Sequence, residues 1–215
     1  MRDEFARLVS PIFQNALFLR ARLAAGETLN LNQEQANLKG MLKEEGDPDL
    51  VAEFGGDPGS GNERFLGARY FMTCWLDELF VEHSLWGKQW GDQPLEKDLY
   101  GTDERGALYW EQATRAETRP REDALEICFL CVMLGYRGSR RDRPEELQKW
   151  VDTVGKRVSR AQGKDWSPPA ELDPPIQVAP LRGREKLRGV SIAFLAFLVA
   201  VVPPFAYLLY SRLMR

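Results

Sequence analysis

The stretch Ala68-Arg69-Tyr70-Phe71-Met72-Thr73-Cys74-Trp75-Leu76-Asp77-Glu78-Leu79 decides the fold of this chain. Phe65, Ala68, Phe71 or Met72, Trp75, Leu76 and Leu79 return at three- and four-residue intervals, the spacing of one helix face. This predicts a helix over about Asn62 to Leu85, the most apolar one before the C-terminal tail. Asp77-Glu78 interrupts the apolar pattern. Adjacent residues on a helix point about 100° apart, so one of the two carboxylates falls close to the apolar arc. An acid there needs a partner, or it shifts its pKa and neutralises. Two readings stand. The pair is structural, satisfied by a loop N–H or by an arginine such as Arg137, or it lines a groove that receives a basic partner.

Outward from this helix, helical signals dominate and strand signals are nearly absent. Phe5, Leu8, Val9, Ile12, Phe13, Ala16, Leu17 and Phe18 predict a first helix, kinked or begun afresh at Ser10-Pro11. A second runs from about Asn32 to Glu45. Gly46–Gly61, with Asp47-Pro48, Gly55-Gly56 and Asp57-Pro58-Gly59, reads as a loop. Beyond the central helix come a loop holding Trp86 and Trp90, a short segment at Leu95–Tyr100, and helices at about Asp103–Arg115, Arg121–Leu134 and Pro144–Val158. The last begins with proline and then Glu145-Glu146, both favourable in a first turn. Trp86 and Trp90 either pack over the helix junction or anchor an interface.

The C-terminal part is of another kind. Gly189–Ser211 is 23 consecutive uncharged residues, about 35 Å as a helix and enough to cross the hydrocarbon core. Pro203-Pro204 predicts a kink near Val199–Val202. Arg182, Arg184, Lys186 and Arg188 precede the span, and Arg212 and Arg215 follow it. By the positive-inside bias residues 1–188 lie in the cytoplasm. The expected organisation is a helical domain over residues 1–160, a proline-rich and basic linker over 161–188, a transmembrane helix over 189–211 and a short periplasmic tail over 212–215.

Charge and motif content narrow the function. Residues 181–215 hold six basic residues and one acidic. That leaves 23 basic and 31 acidic residues in 1–180, a net charge of −8. Such a body is unsuited to nucleic acid, whose phosphates demand a basic footprint. Cys128 and Cys131 form a C-x-x-C, but Phe129 and Leu130 lie between them in an apolar run, so they read as core thiols and not as a zinc or redox site. His83 is the only histidine. No nucleophile elbow and no phosphate loop with its Lys and Ser/Thr appear. The expectation is a non-enzymatic protein-binding module without cofactor or metal. The alternatives are a generic tail-anchored adaptor, or a tail-anchored hydrolase using Asp77, Glu78 and His83.

Several short motifs recur in a telling order: Ala68-Arg69-Tyr70, Leu76-Asp77-Glu78, Trp86-Gly87 and Trp90, Leu99-Tyr100-Gly101-Thr102 with Gly106, then Leu134-Gly135-Tyr136-Arg137-Gly138 and a C-terminal membrane helix. In this order and spacing the chain resembles the TssL/DotU (IcmH-like) family of type VI and type IVB secretion systems, over about Phe5 to Trp150 plus the tail. The resemblance implies an all-α cytoplasmic domain of two small helical bundles in a hook-like arrangement, on a single C-terminal span in the bacterial inner membrane. It implies pairing with a TssM/IcmF-like membrane protein, docking of TssK-like and TssE-like baseplate proteins, and homo-oligomers within the membrane complex. The family's acidic groove falls on Asp77 and Glu78. The chain departs from the pattern after Gly138, where Ser139-Arg140-Arg141 replaces the usual basic and aromatic pair. Its short tail leaves no room for the peptidoglycan-binding domain that some members carry beyond the span.

Overall fold

A computed structural model describes residues 1–44, 48–58 and 64–161. The predicted linker, the apolar span with Pro203-Pro204, and the flanking Arg182, Arg184, Lys186 and Arg188 lie outside the described residues. Within them no helix is long and apolar enough to cross a membrane.

The described residues form helices and no strand. In order these are α1 (Asp3–Ala24), α2 (Leu31–Lys43), α3 (Pro48–Phe54), α4 (Gly67–His83), α5 (Gly87–Asp92), α6 (Leu95–Tyr100), α7 (Arg105–Thr118), α8 (Asp123–Met133) and α9 (Pro144–Ala161), with a 3-10 turn at Gly138–Arg140 before α9. The central helix is α4. Thirteen of its 17 residues are buried, Asp77 and Glu78 among them. A helix apolar nearly all round belongs in the middle of a domain, and α3, α5, α6, α7 and α8 all pack against it. Helix α1 reaches it through Phe13, whose ring lies 5.0 Å from that of Trp75.

Three local expectations are corrected. First, α1 does not begin afresh at Ser10-Pro11: it runs unbroken with Pro11 inside. Phe5, Val9, Ile12, Ala16, Leu19 and Leu23 keep one buried stripe on both sides of the proline. The packing of that stripe offsets the missing backbone hydrogen bond. Second, the Gly46–Gly61 stretch contains α3. Seven residues are too few for a self-supporting helix, and Leu50 and Phe54, one turn apart and both buried, hold it to the core. Third, the tryptophan loop contains α5, with Trp90 fully buried.

The end of α3 crosses the start of α4 backbone to backbone. Gly56 and Gly67 both have positive φ, 85° and 77°. A Cβ on Gly67 would lie 2.4 Å from the Phe54 carbonyl oxygen, and one on Gly56 would lie 2.2 Å from that of Phe65. Only glycine permits both the left-handed conformation and this approach.

Candidate functional site

The site is built outward from α4. Asp77 has no exposed surface. Its Oδ1 accepts hydrogen bonds from the Trp90 indole N–H and the Leu95 backbone N–H, both at 2.8 Å. Its Oδ2 accepts the Glu96 backbone N–H, also at 2.8 Å. Leu95 and Glu96 open α6, where the first N–H groups have no partner inside the helix. Pro94, at the N-cap position, supplies no side-chain cap. Asp77 therefore caps α6 from another helix. Burial pushes its carboxyl above the ordinary value, against the pull of the three donors.

Glu96 repeats the arrangement one step on. Fully buried, it accepts the Tyr70 hydroxyl at 2.7 Å and the backbone N–H of Arg105, the first residue of α7, at 3.1 Å. Burial raises its pKa as well.

Glu78 serves the turn after α8. Oε1 accepts the Arg137 backbone N–H at 2.8 Å and an Arg141 guanidinium N–H at 3.1 Å, while Oε2 accepts the Gly138 backbone N–H at 3.0 Å. Arg141 also pairs with Glu82, one turn further along α4. The Arg137 guanidinium turns back to the Val132 and Tyr136 carbonyls and closes the end of α8. Both acids of the Asp77-Glu78 pair are thus engaged by internal donors. Asp77 presents no surface to a partner, and Glu78 keeps 7% of its own.

Trp86 and Trp90 pack. The Trp90 ring stacks on Phe80 at 4.5 Å, and Trp86 lies nearly parallel to Trp90 at 6.4 Å. Gly87 allows the chain to double back, because a Cβ there would sit 2.4 Å from the Val81 carbonyl oxygen. Cys74, Cys128 and Cys131 are free and buried. His83 is exposed at the last position of α4. Among the described residues no group of three His, Cys, Asp or Glu is placed to hold a metal ion.

What sequence reasoning missed is Glu96 and the face that these caps position. Gln35 of α2 together with Asp92, Gln93, Pro94, Lys97 and Asp98 lines a surface cleft of about 320 Å³. The Gln35 side chain donates across it to the Gln93 carbonyl at 2.7 Å, and Lys39 pairs with Asp98. Pro94 and Lys97 flank the two residues whose N–H groups Asp77 holds. The buried acid thereby fixes one wall of the cleft from behind.

Comparison with known proteins agrees with this architecture. The family model described as type VI secretion system protein DotU matches residues 8–213. Among solved structures, the cytoplasmic domain of TssL from Acinetobacter baumannii is similar, with a TM-score of 0.55 at 18% identity, covering 74% of this chain and 99% of that one. No curated protein matches the chain.

Proposed function

The chain belongs to the type VI secretion system protein DotU family, and from that premise we propose that it is a structural subunit of the secretion system's inner-membrane complex. Residues 189–211 anchor it, the four basic residues before them keep the helical domain in the cytoplasm, and the domain docks baseplate proteins of the TssK-like and TssE-like kinds. In the membrane it pairs with a TssM/IcmF-like protein and with further copies of itself. The role is mechanical and not enzymatic.

One observation supports docking most directly. Asp77 directs all three of its hydrogen bonds to the Trp90 side chain and the start of α6, beside the cleft lined by Gln35, Asp92, Gln93 and Asp98. We assign Asp77 and Glu78 as positioning residues of the docking groove. Asp77 sets the cleft wall, and Glu78 sets the Arg137–Gly138 turn. Trp86 and Trp90 stiffen the same junction.

Affinity capture of the detergent-solubilised full chain from its own cells, with mass-spectrometric identification of what is retained, tests the proposal. TssM-like and baseplate proteins are the expected catch. Capture of the TssM-like protein without any baseplate protein sinks the docking role and leaves the membrane role standing.

A further inference from the structure

We propose that a row of cations on the outer face of α9, Lys149, Lys156 and Arg160, lies on the anionic phospholipid headgroups of the membrane that anchors the chain, and so fixes which way the helical domain faces. The inference rests on the anchoring proposed above and adds an orientation to it.

Lys149, Thr153, Lys156 and Arg160 follow one another at i, i+4, i+7 and i+11, so they share one side of α9. All four are exposed. The core side of the helix is a different one, marked by buried Val154 and Val158. None of the three cations has an ion-pair partner among the described residues. Asp152 flanks the row and accepts the Gln148 amide at 2.9 Å, and from Thr153 to Ala161 there is no acid. The helix dipole favours a cation in the last turn, where Arg160 sits, but its effect does not extend back to Lys149.

The row runs into a positive rim. Ala161, at its end, shares a surface cavity with Arg2 and Arg121. The acids of that cavity, Glu122, Asp123 and Glu126, sit inward of the arginines. Arg2 pairs with Asp123 at side-chain exposures of 39% and 7%, Arg157 covers Glu122, and Glu126 is buried.

An anionic bilayer is the partner that fits. Residues 1–180 carry a net charge of −8, so most of the domain is repelled by such a surface and only a basic face turns toward it. Residues 162–188 join α9 to the apolar stretch, a reach of at most about 90 Å. The bilayer is therefore always near, and a weak attraction per cation is enough to bias orientation. Helix α9 packs on α8, α8 on α4, and α5 and α6 on α4. With α9 at the headgroups, the cleft beside α5 and α6 lies beyond α4 and stays open to the cytoplasm.

The test uses the full chain in lipid nanodiscs, either of pure phosphatidylcholine or of an equal mixture with phosphatidylglycerol. A donor dye is placed on Ser159→Cys of α9 or on Asn32→Cys of α2, both exposed positions, and an acceptor on the headgroups. Cys74, Cys128 and Cys131 are buried and take no dye. Energy transfer from position 159 is expected to rise about twofold in the anionic discs and to fall back in high salt, with no rise from position 32. Lys149→Gln, Lys156→Gln and Arg160→Gln together should abolish the rise. Arg7→Gln, Lys43→Gln and Lys88→Gln, the same charge change at exposed sites elsewhere, should keep it. No rise, an equal rise from both dyes, or an equal loss in the two triple variants overturns the proposal. A chain that elutes apart from the discs overturns the anchoring and this reading with it; a chain that co-elutes without the rise overturns this reading alone.

Discussion

The Asp77 carboxylate accepts the backbone N–H of Glu96 at 2.8 Å, and the Glu96 carboxylate in turn accepts the backbone N–H of Arg105. Two buried acids thus cap two successive helices, α6 and α7, from outside those helices. An ordinary N-cap is local, a Ser, Thr, Asp or Asn at the helix's own threshold. Here the cap of α6 comes from 19 residues earlier in the chain, so the short helix is oriented by α4 and not by its own sequence.

Asp77→Asn should destabilise the domain by about 1–3 kcal/mol, because the new amide turns a donor toward the Glu96 N–H and leaves both groups unpaired inside the fold. Thermal melts of parent and variant check this. An unchanged midpoint would mean that Asp77 does not cap α6 in solution.

Trp90→Phe should cost about 1–2 kcal/mol, because the ring can still stack on Phe80 while the donor to Asp77 Oδ1 is gone. Combined with Asp77→Asn the loss should fall short of the sum, since both variants break one shared contact. Denaturant titration of the two singles and the double measures the coupling; strict additivity contradicts it.

Burial holds the Asp77 and Glu96 carboxyls above their ordinary values of 3.8 and 4.5. The folded state therefore keeps these protons at pH values where the unfolded chain has released them. Their contribution to stability is fully present below the ordinary values and is lost as pH rises through the raised ones. The penalty of Asp77→Asn should accordingly be largest below about pH 4 and shrink as pH rises through the raised Asp77 value. A penalty that grows with pH would reverse the assigned shift.

Gly67→Ala should cost more than about 2 kcal/mol, because the added carbon combines a left-handed backbone with a collision on the Phe54 carbonyl. Gly26→Ala is the matched control. Its φ is 83° but nothing lies within 4 Å of the new carbon, so only the conformational cost of about 1 kcal/mol applies. Equal losses in chemical denaturation would show that the α3–α4 crossing is looser than described.

A reporter fused after Arg215 should be periplasmic and one fused before Phe5 cytoplasmic, given four basic residues before the apolar span and two after it. A cytoplasmic signal from the C-terminal fusion would invert the proposed topology.

Much of this was legible in the residues themselves. Helical spacing from Phe65 to Leu79 marked α4 as central, and Pro144-Glu145-Glu146 marked the start of α9 to the residue. The ordered motifs from Ala68 to Gly138 pointed to the family that the full-length match shows. These signals are short-range: they depend on which residues follow one another within a turn or two of helix. The placement of the acids is not of that kind. Periodicity puts Asp77 and Glu78 about 100° apart and brings one of them near the apolar arc. Only the packing of neighbours all around α4 buries both. Nothing near Glu96 marks it as buried, since an acid after Pro94 reads equally well as a solvated first-turn residue. Its partners are Tyr70, 26 positions earlier, and Arg105, nine later. Helix α3 was hidden for the same reason, because its stability comes from Leu50 and Phe54 meeting a distant core and not from its own seven residues. Sequence by itself determined the longer helices, the apolar tail and the family. Only the tertiary structure decided which donors each carboxylate meets, because a buried charge is settled by groups that the fold brings from far along the chain.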